Sequence, residues 1–195
     1  MDVQQLAEGL WRWTAPHPRW ENWPEHERWP REVGCVYYEA EDATVLIDPL
    51  VPAGEAQDFL RHLDADVARR RRPVVILLTA DWHRRSAPEL AARYDARVGG
   101  DLPAGVEELA IEGADERQVA YFLRPHAALI VAETFQVDVR GELFLCRSPA
   151  LERPKEFEAS LDHIMELPVE RLLVSHGEPV LEDAKTRMAE ALARS

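Results

Sequence analysis

The sequence contains few cysteines, no long apolar run and no excess of positive charge. Its 195 residues include two cysteines, which excludes a disulfide-rich secreted module and a four-cysteine zinc cluster. The 36 acidic residues outnumber 23 Lys and Arg, giving a net charge of −13 that would repel phosphate groups. We therefore expect neither nucleic-acid binding nor docking on an anionic membrane. No apolar stretch approaches the roughly 20 residues of a membrane span.

The remaining composition is typical of an ordinary globular protein. Hydrophobic residues make up 46% and charged residues 30% of the chain. A length of 195 residues corresponds to one ordinary domain or two very small ones, and we predict one domain covering residues 1–195. The first residues, MDVQQLAEGLW, have neither the basic region nor the apolar region of a signal peptide. The sequence therefore predicts a cytoplasmic protein.

The segment 14–31, TAPHPRWENWPEHERWPR, is unusually rich in proline and tryptophan. Its prolines prevent a long helix or a central strand, while its indoles are too apolar for a free loop. We interpret it as an irregular flap held against the body by its tryptophans. Two roles are compatible with this interpretation: a purely structural wrap, or an apolar surface that serves a ligand or a homodimer.

Strand-like and helix-like segments alternate along the rest of the chain. Residues 56–70 place apolar side chains on one helical face, and PVVILLT (73–79) is typical of a strand buried on both faces. This alternation predicts two mixed sheets covered by helices. The predicted strands are 9–14, 33–39, 44–48, 73–79, 96–98, 119–123, 127–132, 143–146 and 171–175, and the predicted helices are 56–70, 86–94, 154–167 and 181–193.

Polar residues suited to metal binding or acid–base chemistry follow several predicted strands. Loops at strand ends commonly carry active sites, and imidazole with carboxylate ligands can bind Zn²⁺ or Fe²⁺. Each residue also has a simpler structural interpretation. For example, Asp48 before Pro49 could form a turn, and His176 before Gly177 could cap the end of a strand. The residues concerned are Asp48, Asp81, His83, Glu133 and His176.

The order of these segments resembles the metallo-β-lactamase superfamily over nearly the whole chain. The resemblance is carried by VLIDP, LLTADWHRRS, LIVAETF and LLVSHGEP. It implies a four-layered αββα sandwich with a metal site between two sheets. It also implies an H-x-H-x-D-H motif, a later histidine, a bridging aspartate and a final histidine.

The motif of that family is heavily substituted here. In DWHRRS, Asp81 stands at the first histidine, His83 keeps the second, Arg85 replaces the aspartate and Ser86 replaces the last histidine. Ala114 stands at the later histidine. The resemblance puts Glu133 at the bridging carboxylate, His176 at the final histidine and Asp48 at a carboxylate that is usually structural.

These substitutions change the expected metal content. A guanidinium cannot ligate a metal, so Arg85 excludes a dinuclear centre. One divalent metal, zinc above manganese or iron, could still be held by Asp81, His83, Glu133 and His176. The alternative is that no metal binds. In that case the Arg85 guanidinium supplies the positive charge that the metal would have carried, and it lies within hydrogen-bonding reach of Glu133 or Asp81.

Two functions follow from these alternatives. The first is a single-metal hydrolase acting on an ester, thioester, lactone or amide. Its metal is held by Asp81, His83, Glu133 and His176, and Arg85 holds an anionic group of the substrate or stabilises an oxyanion. The second is a non-catalytic, metal-free binding or interaction module on the same fold, with an apolar pocket or partner surface formed by the flap. In both cases we expect a small-molecule substrate or ligand.

Overall fold

A computed structural model describes residues 2–20, 30–113, 117–147 and 152–194. The described residues form two compact units. The first contains residues 2–20, Arg31–Leu78 and Trp82–Gly105, and the second contains residues 30, Thr79–Asp81 and the described part of Val106–Ser195. That the whole chain acts as one domain stays a prediction. No helix in the described ranges is long and apolar enough to cross a membrane.

The first unit is built on a six-stranded sheet whose strands follow one another in chain order. The first four strands pair antiparallel, while the fourth, fifth and sixth pair parallel. Two helices, α1 (Ala56–Arg70) and α2 (Ala87–Tyr94), make the parallel crossovers. The strands are β1 (Val3–Ala7), β2 (Leu10–Pro16), β3 (Glu32–Glu39), β4 (Thr44–Ile47), β5 (Val74–Leu77) and β6 (Arg97–Val98).

Both helices cover the same face of this sheet. Apolar residues at helical spacing, Phe59 and Leu63 in α1 and Leu90 in α2, pack on side chains such as Trp13 and Ile76 of the strands. Residues of β4 and β5 are buried without exception, which explains their continuous apolar sequence. The ends of these two parallel strands therefore lie side by side in a buried part of the unit.

The second unit contains a four-stranded sheet and a hairpin. The strands of the sheet are β7 (Val106–Ile111), β8 (Gln118–Leu123), β9 (Ala128–Val131) and β12 (Arg171–Val174); the hairpin is β10 (Phe135–Val137) with β11 (Leu143–Leu145). The sheet order is β12-β9-β8-β7, and β12 pairs parallel with β9. Helices α3 (Pro154–Glu166) and α4 (Ala184–Ala193) pack on it through Phe157, Leu161, Ile164 and Met188.

Most predicted elements are present, with differences at identifiable places. Helix α1 has the predicted bounds, but β1, β7 and β10 were not predicted. The closing helix begins at Ala184 rather than at residue 181 because Asp183 has a left-handed φ of 53°, which a helix cannot include. In addition, Val180 pairs with Leu172 as an isolated β-bridge.

Strand β2 extends into the segment that was predicted as the Trp- and Pro-rich flap. Strand β2 continues through Pro16, where Ala15 pairs with Val33 and Pro16 with Glu32. Proline is tolerated there because the pairing of β1 with β2 ends at Trp13, so that Pro16 lies at an edge of the sheet. The predicted flap also includes Trp23, His26 and Trp29, which lie outside the described residues.

Candidate functional site

Asp48 and His83 form a buried pair in the first unit. Asp48 directly follows β4, has a left-handed φ of 49°, and its N–H donates to the carbonyl oxygen of Leu77 at 3.0 Å. His83 lies in the 3₁₀ turn Asp81–Arg84 that follows β5. Its Nδ1 is 2.9 Å from Asp48 Oδ2, and each side chain is only 4% exposed. The two adjacent parallel strands thus bring together a carboxylate and an imidazole that are 35 residues apart.

Arg85 binds main-chain carbonyl groups next to this pair. Its Nη1 donates to the carbonyl oxygen of Asp48 at 3.0 Å and to that of Gly34 at 3.3 Å. The same nitrogen lies 3.9 Å from Cys35 Sγ. Arg85 therefore ties strand β3 to the end of β4. The expectation that it also reaches Glu133 or Asp81 stays a prediction.

Ser86 has a similar anchoring role. Its Oγ accepts a hydrogen bond from Val51 N at 2.9 Å, and its own N–H donates to the carbonyl oxygen of Pro49 at 3.0 Å. Although Ser86 immediately precedes α2, its side chain does not cap that helix. The residues that stand at two metal-ligand positions of the resembled motif, Arg85 and Ser86, both hold the loop after β4 in place.

Glu133 and His176 meet in the second unit. Val131 and Val174 are paired in the parallel register of β9 and β12, and the two functional residues lie two positions beyond them. Continuing this register therefore makes Glu133 and His176 neighbours. His176 Nε2 is 3.3 Å from Glu133 Oε1, while Glu133 Oε2 accepts a hydrogen bond of 2.6 Å from Gln136 Nε2.

Gly177 allows the chain to pass close to β10 at this point. It has a φ of +91°, and a Cβ atom there would lie 2.1 Å from the carbonyl oxygen of Val137. Val137 N also donates to the carbonyl oxygen of His176 at 3.0 Å. The His-Gly dipeptide of the sequence therefore has a local structural reason: glycine is the residue that fits this approach.

The four residues that the sequence resemblance implies as metal ligands are distributed over both units. Asp81, the expected first ligand, is exposed. Ala114, at another ligand position, lies outside the described residues. Within the ranges that the structure describes, no three His, Cys, Asp or Glu side chains form a group that could hold a metal ion. The whole ligand set of Asp81, His83, Glu133 and His176 thus stays a prediction.

Cys35 is not suited to act as a nucleophile. Its side chain is buried under α1 and α2, with 1% exposure. Burial, against the opposing effect of the nearby Arg85 charge, raises the pKa of the Cys35 thiol to about 11. The thiol is therefore protonated at neutral pH, and the thiolate needed for nucleophilic attack is scarce.

The first unit also has an apolar pocket that the sequence analysis did not locate. The pocket predicted from the sequence lies at the flap, whereas this cavity involves two tryptophans that precede the flap. The alternation of Trp11 and Trp13 on β2 was the available signal, since residues two apart on a strand share a face. The cavity has a volume of about 370 Å³ and is lined by Val3, Trp11, Trp13, Tyr37, Phe59, His62, Leu63 and Asp66.

Comparison with known proteins gives a likeness of structure alone. No family model and no curated protein matches the sequence. A metallo-beta-lactamase family protein from Thermus thermophilus is 18% identical with a TM-score of 0.58, over 97% of this chain and 80% of that one. An archaeal metallo-beta-lactamase superfamily protein from Sulfolobus tokodaii is 16% identical with a TM-score of 0.63, over 95% and 85% of the two chains.

A third structure, a metallo-beta-lactamase from Erythrobacter litoralis with beta-mercaptoethanol in its active site, is 15% identical with a TM-score of 0.64. The alignment covers 99% of this chain and 96% of that one. Identities this low carry information about the fold and not about activity. The chain has the metallo-β-lactamase fold, and the α/β fold class predicted from the sequence is confirmed.

Proposed function

We propose that this protein is a metal-free, non-hydrolytic binding protein built on the metallo-β-lactamase fold, with a small molecule as its ligand. The observation that carries the proposal is the use made of Arg85 and Ser86. At two positions of the motif that would supply metal ligands, these side chains bind the main chain of residues 34, 48 and 51 instead. A cation at residue 85 would also repel a divalent metal.

The remaining polar residues support the same conclusion. His83 is bound to the carboxylate of Asp48, and Glu133 accepts hydrogen bonds from Gln136 while facing His176. Carboxylates that are already paired with donors inside the protein gain less from a metal, and each missing ligand lowers metal affinity further. Each of these pairs can orient and stabilise its own loops without an added ion.

The second candidate is the single-metal hydrolase predicted from the sequence. One observation favours it: His83 and His176 are both buried beside carboxylates, an arrangement that also orients imidazole ligands in metal sites. This candidate requires a metal at Asp81, His83, Glu133 and His176. A cytoplasmic location and a homodimer stay predictions under either candidate.

Metal analysis separates the two candidates. The protein is purified without chelator, and its metal content is measured beside that of His83→Ala and of His163→Ala, a control at an exposed histidine. We expect well below one equivalent of any transition metal in all three. We also expect the same melting temperature with EDTA or with added zinc, since a ligand bound only by the native state would raise it.

Activity measurements complete the test. We expect no hydrolysis of an aryl ester, a thioester, a lactone or a β-lactam above the buffer rate. About one equivalent of metal that is lost in His83→Ala and kept in His163→Ala would overturn the proposal and establish the single-metal candidate. Two equivalents per chain would contradict both.

A further inference from the structure

The pocket beside α1 has the chemistry of a binding site for a particular class of ligand. Two aromatic pairs contribute to its wall: Trp11 and Tyr37 are in edge-to-face contact with centroids 5.4 Å apart, and Trp13 lies 5.3 Å from Phe59. Its volume of about 370 Å³ is within the range of small-molecule pockets. All eight lining residues belong to the first unit.

The indole nitrogen of Trp13 and the hydroxyl of Tyr37 are both used in hydrogen bonds to other residues of the chain. Trp13 Nε1 donates to the carbonyl oxygen of Leu50 at 2.9 Å, and the Tyr37 hydroxyl donates to Glu39 at 3.2 Å. These two rings therefore offer the cavity mainly carbon surface. A ligand that fills the cavity must be mostly apolar.

Two carboxylates lie at or beside the pocket, Asp66 in its lining and Glu39 at the Tyr37 hydroxyl. The eight lining residues include one carboxylate, Asp66, one histidine, His62, and neither lysine nor arginine. Arg69 lies 3.3 Å from Asp66, but it also pairs with Glu39, and a carboxylate can accept further donors. Burial above all raises the pKa of Tyr37 above its ordinary value, with smaller contributions from Glu39 and Asp66 and against the effect of Arg69.

We propose that the pocket between α1 and strands β1–β3 binds a hydrophobic organic cation, an ammonium group carried on an aromatic or aliphatic body. Ring faces attract a cation through their quadrupole, and Asp66 adds direct charge attraction. An organic anion would be repelled by the carboxylate of Asp66. The inference names the ligand class of the proposed binding function, on which it rests.

Calorimetric titration tests the ligand class with matched probes. Phenyltrimethylammonium is the cation, tert-butylbenzene is its neutral isostere, and benzoate is an anion. We expect the cation to bind with a dissociation constant of about 1 mM, about two- to fivefold tighter than the neutral isostere. We expect benzoate to bind more weakly than both. Equal or tighter binding of the neutral probe would overturn the cation class.

Variants test the location. Asp66→Asn should weaken cation binding about two- to fivefold and leave the neutral probe unchanged. Asp58→Asn is the matched control, because Asp58 forms the same i,i+3 contact of 3.3 Å with an arginine on the same helix but does not line the pocket. Trp11→Ala should weaken both probes. Loss of cation binding in Asp58→Asn equal to that in Asp66→Asn would refute the proposed contact.

The outcome is separable from the metal question. Absence of binding by all three probes would overturn the proposal that the pocket binds an organic cation and leave the proposal of a metal-free protein intact. Conversely, a bound metal found by analysis would overturn the proposed function even if the cation binds at the pocket. An NMR titration that follows the indole N–H signals of Trp11 and Trp13 reports directly on the pocket.

Discussion

His83 Nδ1 and Asp48 Oδ2 are 2.9 Å apart in a place where each of the two side chains is only 4% exposed to solvent. Asp48 also has a left-handed backbone, a conformation that aspartate and asparagine tolerate better than most residues. A buried carboxylate that loses its partner is costly, so the pair should contribute measurably to the free energy of unfolding.

A double-mutant cycle measures this pair. His83→Ala should lower the free energy of unfolding by about 3 kcal/mol because it leaves a buried carboxylate without the imidazole. Asp48→Asn keeps the shape and the backbone preference and should cost about 1–2 kcal/mol. The double variant should be at least about 1 kcal/mol more stable than the sum predicts. Urea denaturation provides the values, and strict additivity would show that the two side chains do not interact.

Arg85 should be far more important for stability than its neighbour Arg84. Arg85→Ala removes the donor to two carbonyl groups, Asp48 and Gly34, and should lower the free energy of unfolding by about 2 kcal/mol. Arg84→Ala is the matched control because Arg84 is exposed, and it should change stability by less than about 0.5 kcal/mol. Equal effects in chemical denaturation would refute the anchoring role.

Gly177 and Gly141 distinguish a steric clash from backbone strain alone. Both have positive φ, but a Cβ at Gly177 would meet Val137 O at 2.1 Å whereas nothing lies within 4 Å at Gly141. Gly141→Ala should therefore cost about 1 kcal/mol, and Gly177→Ala about 3–4 kcal/mol. Thermal unfolding gives both values. A Gly177→Ala protein as stable as Gly141→Ala would mean that the two segments approach less closely.

The fold could be predicted from the sequence because its central strands are unambiguous. The runs VVILL (74–78) and LLV (172–174) are continuously apolar and are followed by polar residues, and the helical face of α1 is equally clear. Strand β1 gave no such signal because it lies at the edge of its sheet with three exposed residues, and β10 is only three residues long. Short or half-solvated strands depend on their neighbours more than on their own residues.

The pairing within the site could be predicted only in part. Positions after strand ends singled out Asp48, His83, Glu133 and His176 as candidates, and their roles in binding or catalysis stay predictions. The family resemblance grouped His83 with Asp81, Glu133 and His176. The partner of His83, however, is Asp48, because a turn after β5 returns the imidazole towards the end of β4. Gln136 was missed for a similar reason: its contact with Glu133 depends on a local turn geometry, and no sequence period encodes it.

Asp64 links the two helices of the first unit through a charged network. Arg93 donates to it from Nε at 2.7 Å and from Nη2 at 2.5 Å, and the Tyr94 hydroxyl donates at 2.9 Å. The hydrogen bond from Arg93 is the main reason that the pKa of Asp64 is lowered from its ordinary value, with Tyr94 adding to it against the effect of burial. The Asp64 side chain is 41% exposed, so solvent screens the interaction.

Asp64→Asn should lower the free energy of unfolding by about 0.5–1 kcal/mol at pH 7. Because the folded-state pKa is lowered, the stabilisation is fully present above the unfolded-state pKa of about 4 and is lost as the pH falls through the folded-state value. The difference between wild type and Asp64→Asn should therefore shrink from pH 7 to pH 3. Asp58→Asn, which loses one contact of 3.3 Å to Arg61, should differ little from wild type at either pH. Urea unfolding at both pH values checks this, and a difference for Asp64→Asn that persists unchanged at pH 3 would show that its carboxylate charge is not the source of the stabilisation.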